Sequence, residues 1–201
     1  MSVMGTKSVP RAEREQQMLD SAEQVFGKRG YQPASMNDIA AGAGISKAML
    51  YSYFESKEAL YVACVERYRA RLFERAEAEV LKAPDPAAGM EAFARVYFDH
   101  IEEWRETGWW VLYGEASTQA ISEMRARNAV LIEQLLRRAA EMLGSKISAT
   151  DVEFLAYTLV GAGELAGRWW LENPDVPKSQ VVDRFTSFTR PAVAAALTNG
   201  N

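Results

Sequence analysis

Ser35-Met36-Asn37-Asp38-Ile39-Ala40-Ala41-Gly42-Ala43-Gly44-Ile45-Ser46-Lys47-Ala48-Met49-Leu50-Tyr51-Ser52-Tyr53-Phe54-Glu55-Ser56-Lys57 is the stretch on which the reading of the whole chain turns. Ser35 is a natural N-cap, and Asp38 three residues later completes a capping-box-like pair, which predicts a short helix over 36–43. Ile39 is its buried anchor, and Ala40 is small where another helix crosses. Gly42 inside so short a helix costs about 1 kcal/mol against alanine, so tertiary packing must hold the segment. Gly44 permits a turn, Ile45 plugs the core beneath it, and Ser46 caps a third helix. There Leu50 and Phe54, four apart, face inward and leave Lys47, Ala48, Met49, Tyr51 and Tyr53 on the other faces. Ser56 caps a fourth helix. A capped helix, a glycine turn and a second capped helix make the layout of a helix-turn-helix, whose second helix enters the major groove of DNA.

Residues before this stretch supply its support. Residues 1–9 form a polar arm, and Pro10 suits the first position of a helix. Met18, Leu19, Ala22, Val25 and Phe26 then recur at helical spacing. Lys28 and Arg29 suit the negative end of the helix dipole, Gly30 stops the helix, and Tyr31-Gln32-Pro33 forms an elbow. Beyond the stretch, Leu60, Tyr61, Cys64, Val65, Tyr68 and Leu72 carry the fourth helix to about residue 81. Ala83-Pro84-Asp85-Pro86 breaks the chain and opens a helix over 86–106. A short apolar piece over 109–118 follows Gly108. Further helices are expected over 121–143, 149–171 (capped by the Ser148–Asp151 box) and 178–197. No segment alternates as a strand does, and none has the strand–glycine–helix order of a nucleotide fold. The chain reads as all-α, with about nine helices.

Bulk properties narrow the function. The chain has 201 residues, 48% of them hydrophobic, and a net charge of −4. That is ample for a packed core and argues against global disorder. No apolar run approaches the roughly 20 residues of a membrane span, and no signal-peptide core is evident, so a cytoplasmic location is expected. Cys64 is the only cysteine, which excludes an intrachain disulfide and a cysteine-rich zinc site. Residues 1–57 carry seven basic and six acidic side chains, whereas the remainder carries sixteen and twenty-one. A slightly basic head on an acidic body suits a DNA reader that must not bind polyanions indiscriminately.

Residues 11–60 resemble the DNA-binding domain of the tetracycline-repressor (TetR) family. The resemblance rests on Phe26, Gly30, Ile39-Ala40, Ala43-Gly44-Ile45-Ser46, Leu50-Tyr51, Tyr53-Phe54, Ser56-Lys57 and Leu60 occurring in register. It implies a homodimer with a DNA-binding domain over 1–57 and a helical ligand-binding and dimerisation domain over 58–201. It also implies DNA-binding roles for Ser35, Ser46, Lys47, Ala48, Met49, Tyr51, Tyr53 and Lys57. Of these, Lys47 and Ala48 match positions near base edges, and Tyr51, Tyr53 and Lys57 match positions near phosphates. Ala48 stands where the family often has glycine, and Met49 where a small polar residue is common. Neither forms a bidentate bond to a base, though either can touch a thymine methyl.

All five tryptophans lie beyond residue 100. The resemblance implies an apolar effector pocket among the middle helices, for which Tyr97, Trp104, Trp109, Trp110, Tyr113 and Tyr157 are candidate walls and Glu115 and Glu164 candidate carboxylates. A salt bridge to Arg125, Arg168 or another basic side chain is the plainer alternative for both carboxylates. Small residues at Ala156, Val160, Gly163 and Gly167 let another helix approach; the resemblance implies a dimer interface on the two final helices, for which these residues, with Phe185, Phe188 and Ala192, are the candidates. Neither a cofactor nor a metal is implied, and no convergent catalytic set accompanies the lone His100. The expected function is a sequence-specific transcriptional regulator, a repressor released from a palindromic operator by a small molecule. The alternatives are an activator on the same fold, or a ligand- or protein-binding module that has lost its operator.

Overall fold

The computed structural model of the chain describes residues 9–105 and 118–198. These residues form eight helices and no strand: α1 (Arg11–Arg29), α2 (Met36–Gly42), α3 (Lys47–Tyr53), α4 (Lys57–Val80), α5 (Pro86–Trp104), α6 (Thr118–Leu143), α7 (Ala149–Glu172) and α8 (Lys178–Thr198). The bounds follow the caps and breaks of the sequence. α6, for which no cap is legible, begins at Thr118 rather than near Ile121. The ninth helix, expected over 109–118, falls outside the described residues apart from Thr118 itself.

The chain divides into two compact units, with α4 contributing to both and the division falling after Arg67. In the first unit, Met18, Leu19, Ala22 and Phe26 of α1 are buried with Ile39 and Ala40 of α2, Leu50 of α3 and Leu60, Tyr61 and Cys64 of α4. The core is thus shared by four helices, none of which buries its apolar face alone. The Tyr61 ring meets Phe26 edge-on at 5.4 Å and Tyr31 at 4.9 Å, which pins the start of α4 against the end of α1. Arg67 closes this unit. Its guanidinium bridges Glu23 at 2.7 Å and Asp20 at 2.8 Å, so the unit extends past Lys57 to the last turn of α4 that α1 can reach.

In the second unit, α6 packs along α7, α5 along α8 and α7 along α8. Ala129, Ile132, Leu136 and Ala140 of α6 meet Val152, Leu155 and Ala156 of α7 and Val193 and Leu197 of α8 in one apolar cluster. A second nucleus is aromatic. Phe98 of α5 touches Trp170 of α7 at 5.8 Å and Phe185 of α8 at 5.5 Å, both edge-on. The Trp170 indole N–H donates to the Val176 carbonyl at 2.8 Å, which satisfies its one polar atom and fixes the turn after α7. Lys178, at the start of α8, reaches Asp99 at 2.7 Å and Glu102 at 2.6 Å on α5.

Candidate nucleic-acid interface

The helix-turn-helix is held from beneath and left open above. The Ser35 hydroxyl accepts from the Asp38 N–H and that of Ser46 from the Met49 N–H, both at 3.1 Å, so each short helix has its cap. The Asp38 carboxyl also accepts from Ser35 and from Arg29, which hold it below the usual carboxylate range. Between the helices Gly44 adopts φ +65°, the left-handed region where a side chain would strain the backbone. The Ile45 N–H then donates back to the Ala40 carbonyl at 3.0 Å.

Gly42 has a tertiary reason as well. A Cβ there would stand 2.4 Å from the Ser21 hydroxyl oxygen, and that hydroxyl donates to the Ile39 carbonyl at 2.7 Å. The glycine therefore admits the side chain by which α1 grips α2.

α3 buries Leu50 completely and turns its remaining surface outward. Lys47, Ala48, Met49, Tyr51 and Ser52 are exposed, while Tyr53 is half-buried. Two cations stand over its tyrosines: the Lys47 ammonium 5.9 Å from the Tyr51 ring centre and the Arg11 guanidinium 5.1 Å from that of Tyr53. Each pairing puts a positive charge and a hydroxyl-bearing ring together on one surface, the combination that grips phosphate oxygens. Arg11 is the first residue of α1. Its link to Tyr53 spans more than forty positions and has no local signal.

Lys57 does not present its charge in this way. Its ammonium donates to the carbonyls of Tyr31 at 2.9 Å, Ala34 at 3.1 Å and Gln32 at 3.2 Å, and lies 4.4 Å from the Tyr31 ring centre. An ammonium has three protons, and all three are spent on the elbow between α1 and α2. The expected phosphate ligand is, in this structure, a clamp on that elbow. The Ser35 hydroxyl is likewise committed to its cap and to Asp38.

Comparison with known proteins decides the family. Residues 18–64 match the model of the bacterial regulatory proteins of the tetR family, and residues 86–190 match that of the tetracyclin repressor-like C-terminal domain. The chain belongs to the TetR family. Among curated relatives, the HTH-type transcriptional activator FasR of Mycolicibacterium smegmatis is 29% identical over 183 residues, 90% of this chain and 83% of that one. A TetR-like transcriptional regulator from Rhodococcus sp. RHA1 is 32% identical, with a TM-score of 0.69 over 93% of this chain and 99% of that one. FadR of Bacillus subtilis, solved in complex with stearoyl-CoA, shares the fold at 16% identity, with a TM-score of 0.68 over 90% of this chain and 97% of that one.

The second unit of this TetR-family regulator sorts the remaining candidates. Trp109, Trp110, Tyr113 and Glu115, and the side chain of Trp104, lie outside the described residues. Tyr97 is half-buried, with its ring 3.5 Å from where a Cβ of Gly163 would stand. Glu164, next along α7, is 8% exposed and accepts from the Arg125 guanidinium at 2.8 Å through Oε2, while its Oε1 is buried without a partner. Burial raises its pKa, and Arg125 opposes that rise. The salt-bridge alternative for Glu164 is therefore the arrangement found. Tyr157 is 49% exposed and does not line an interior. His100 is buried with its ring 4.0 Å from that of Tyr68, and desolvation lowers its pKa to about 4.

The candidates for the dimer interface divide. Ala156, Gly163 and Gly167 are buried within the subunit, while the half-buried Val160 packs against the apolar cluster and the half-buried Phe185 against Phe98. The small residues of α7 admit neighbouring helices of the same chain. Ala192 is exposed and Phe188 is 77% exposed. On α7 the outward apolar residues are Phe154, Tyr157, Leu165 and Trp169, of which Phe154 and Leu165 are at least 70% exposed. Sequence alone cannot orient a helix that is apolar on both sides. Small residues mark the crowded side, where Gly163 meets the Tyr97 ring.

Proposed function

We propose that this protein is an effector-responsive repressor that binds a palindromic operator as a homodimer. The observation that carries the reading is the outward surface of α3, where Lys47, Ala48, Met49 and Tyr51 stand exposed on a helix whose inner side is locked by Leu50. In this reading α3 enters the major groove while Lys47, Tyr51, Arg11 and Tyr53 hold the phosphates. Phe154, Leu165 and Trp169 of α7, with Phe188 and Ala192 of α8, form the two-fold interface. Such a concentration of exposed large apolar side chains marks an interaction surface. The second unit takes a small molecule, for which Glu164, with its unpartnered oxygen, supplies an acceptor. The effector lowers operator affinity by its preference for the form of the dimer that does not fit the operator. The protein works by binding, without catalysis, in the cytoplasm; no helix among the described residues is long and apolar enough to cross a membrane.

An activator is the second reading, favoured by the 29% identity with FasR, an activator by name. One experiment separates them. Duplex fragments bound by the purified protein are selected from genomic DNA, and transcription from each selected promoter is measured with and without the protein. Repression reversed by a compound that raises the protein's melting temperature supports the proposal. A protein-dependent increase in transcript overturns it in favour of the activator.

A further inference from the structure

A DNA reader needs side chains that reach base edges, and α3 is short of the usual ones. Residues 46–53 contain no Arg, Asn, Gln, Asp or Glu, so of the side chains that pair bidentately with base edges this helix carries only Lys47, a reader of guanine, and none that reads adenine or cytosine. Its two serine hydroxyls are engaged within the helix. The Ser46 hydroxyl caps the helix by accepting from the Met49 N–H at 3.1 Å, and the Ser52 hydroxyl donates to the Met49 carbonyl at 2.7 Å. The Lys47 ammonium stands over the Tyr51 ring. What α3 offers in its first turn is apolar: Ala48 is exposed, and Met49 is 42% exposed while its neighbour Leu50 is fully buried. The core therefore has no use for Met49, whose flexible thioether adapts to the surface it meets.

We infer that this regulator reads its operator through thymine 5-methyl groups, with Met49 as the principal specificity-determining residue and Ala48 beside it. Among the four bases only thymine presents a methyl in the major groove, and an apolar side chain is its natural partner. Phosphate contacts hold the protein on any duplex, and the methyl contacts choose the sequence. Operators on this account place one or two thymines of each half-site beneath the start of α3. The inference rests on α3 being the element that enters the major groove.

The test substitutes uracil for thymine. An operator is first selected from a random duplex library, and each of its thymines is then replaced singly by deoxyuridine, which removes the methyl and leaves the pairing intact. The expected result is a loss of about fourfold in affinity for each contacted methyl, the equivalent of one buried methylene. Loss is confined to one or two positions per half-site, and in Met49→Ala the largest of these losses falls to within twofold. Wild-type protein that binds the fully uracil-substituted operator within twofold of the original overturns the inference, as does a selected consensus without thymine in the half-sites. Failure to select any duplex refutes DNA reading by α3 itself, and the inference with it. Selection that succeeds without uracil sensitivity refutes the inference alone.

Discussion

Replacing Gly42 by alanine separates helix propensity from tertiary packing with opposite signs. By propensity alone the substitution stabilises α2 by up to about 1 kcal/mol. The new Cβ, however, falls 2.4 Å from the Ser21 hydroxyl oxygen, well inside any real contact. Ser21 must rotate, and its hydroxyl, in a side chain only 6% exposed, then loses the Ile39 carbonyl. Ile39 keeps its helical partner, the Ala43 N–H, so the orphan is the hydroxyl. A buried unsatisfied hydroxyl costs about 1–3 kcal/mol, which outweighs the propensity gain and leaves a net loss of about 1 kcal/mol. Removing the obstruction reverses the sign. In a Ser21→Ala background, where no hydroxyl meets the new Cβ, Gly42→Ala stabilises by up to about 1 kcal/mol, a coupling of about 2 kcal/mol. Native-state hydrogen exchange at the α2 amides reads both numbers without requiring the two units to unfold together. Stabilisation by Gly42→Ala in the presence of Ser21 would refute the reasoning.

Lys57→Met breaks three ammonium–carbonyl bonds and is expected to destabilise the first unit by about 2 kcal/mol. It should leave the slope of log affinity against log salt unchanged, whereas loss of a phosphate ligand lowers that slope by about 1. His100 is protonated more readily in the unfolded chain, at about 6.5, than in the folded one, at about 4. Its contribution is complete above the unfolded value and falls as pH drops through this window, by at most about 3 kcal/mol. Urea titrations from pH 7 to pH 4 should show this decline in the wild type and a shallower one in His100→Phe. Phe188→Lys and Leu165→Glu place charges on the outward apolar surface. Both should sediment as monomers and lose operator affinity at unchanged helical content, and dimeric sedimentation of both would move the interface elsewhere.

Features of the sequence that act locally were legible in it. Ser35, Ser46, Ser148 and Asp85 each cap the helix that follows, and of the five residues named by the helical periodicity of α1, Met18, Leu19, Ala22 and Phe26 are buried and Val25 is half-buried. Less legible are residues whose role depends on distant parts of the chain. Lys57 reads as a surface cation until the fold brings the carbonyls of residues 31–34 to its ammonium. Gly42 reads as a weakness until Ser21 arrives against it. Ala156, Gly163 and Gly167 announce close helix packing, but a stripe of small residues does not say whether the approaching helix belongs to the same subunit or another. Among the proposed pocket residues, Glu164 is an isolated carboxylate in an apolar stretch, which must find a partner, and Arg125 is that partner.

Operator binding as a two-fold dimer is the claim on which the rest depends. It is tested most directly by gel shift on the selected operator beside a duplex carrying one half-site and an unrelated flank of equal length. Two recognition helices on a two-fold dimer engage half-sites about 34–36 Å apart, or a multiple of that turn, and binding both half-sites joins two weak contacts into one strong one. The account predicts full-site binding at least about 100-fold tighter than half-site binding, with two chains per complex. Equal affinity for the two duplexes, with one chain bound to each, would contradict it.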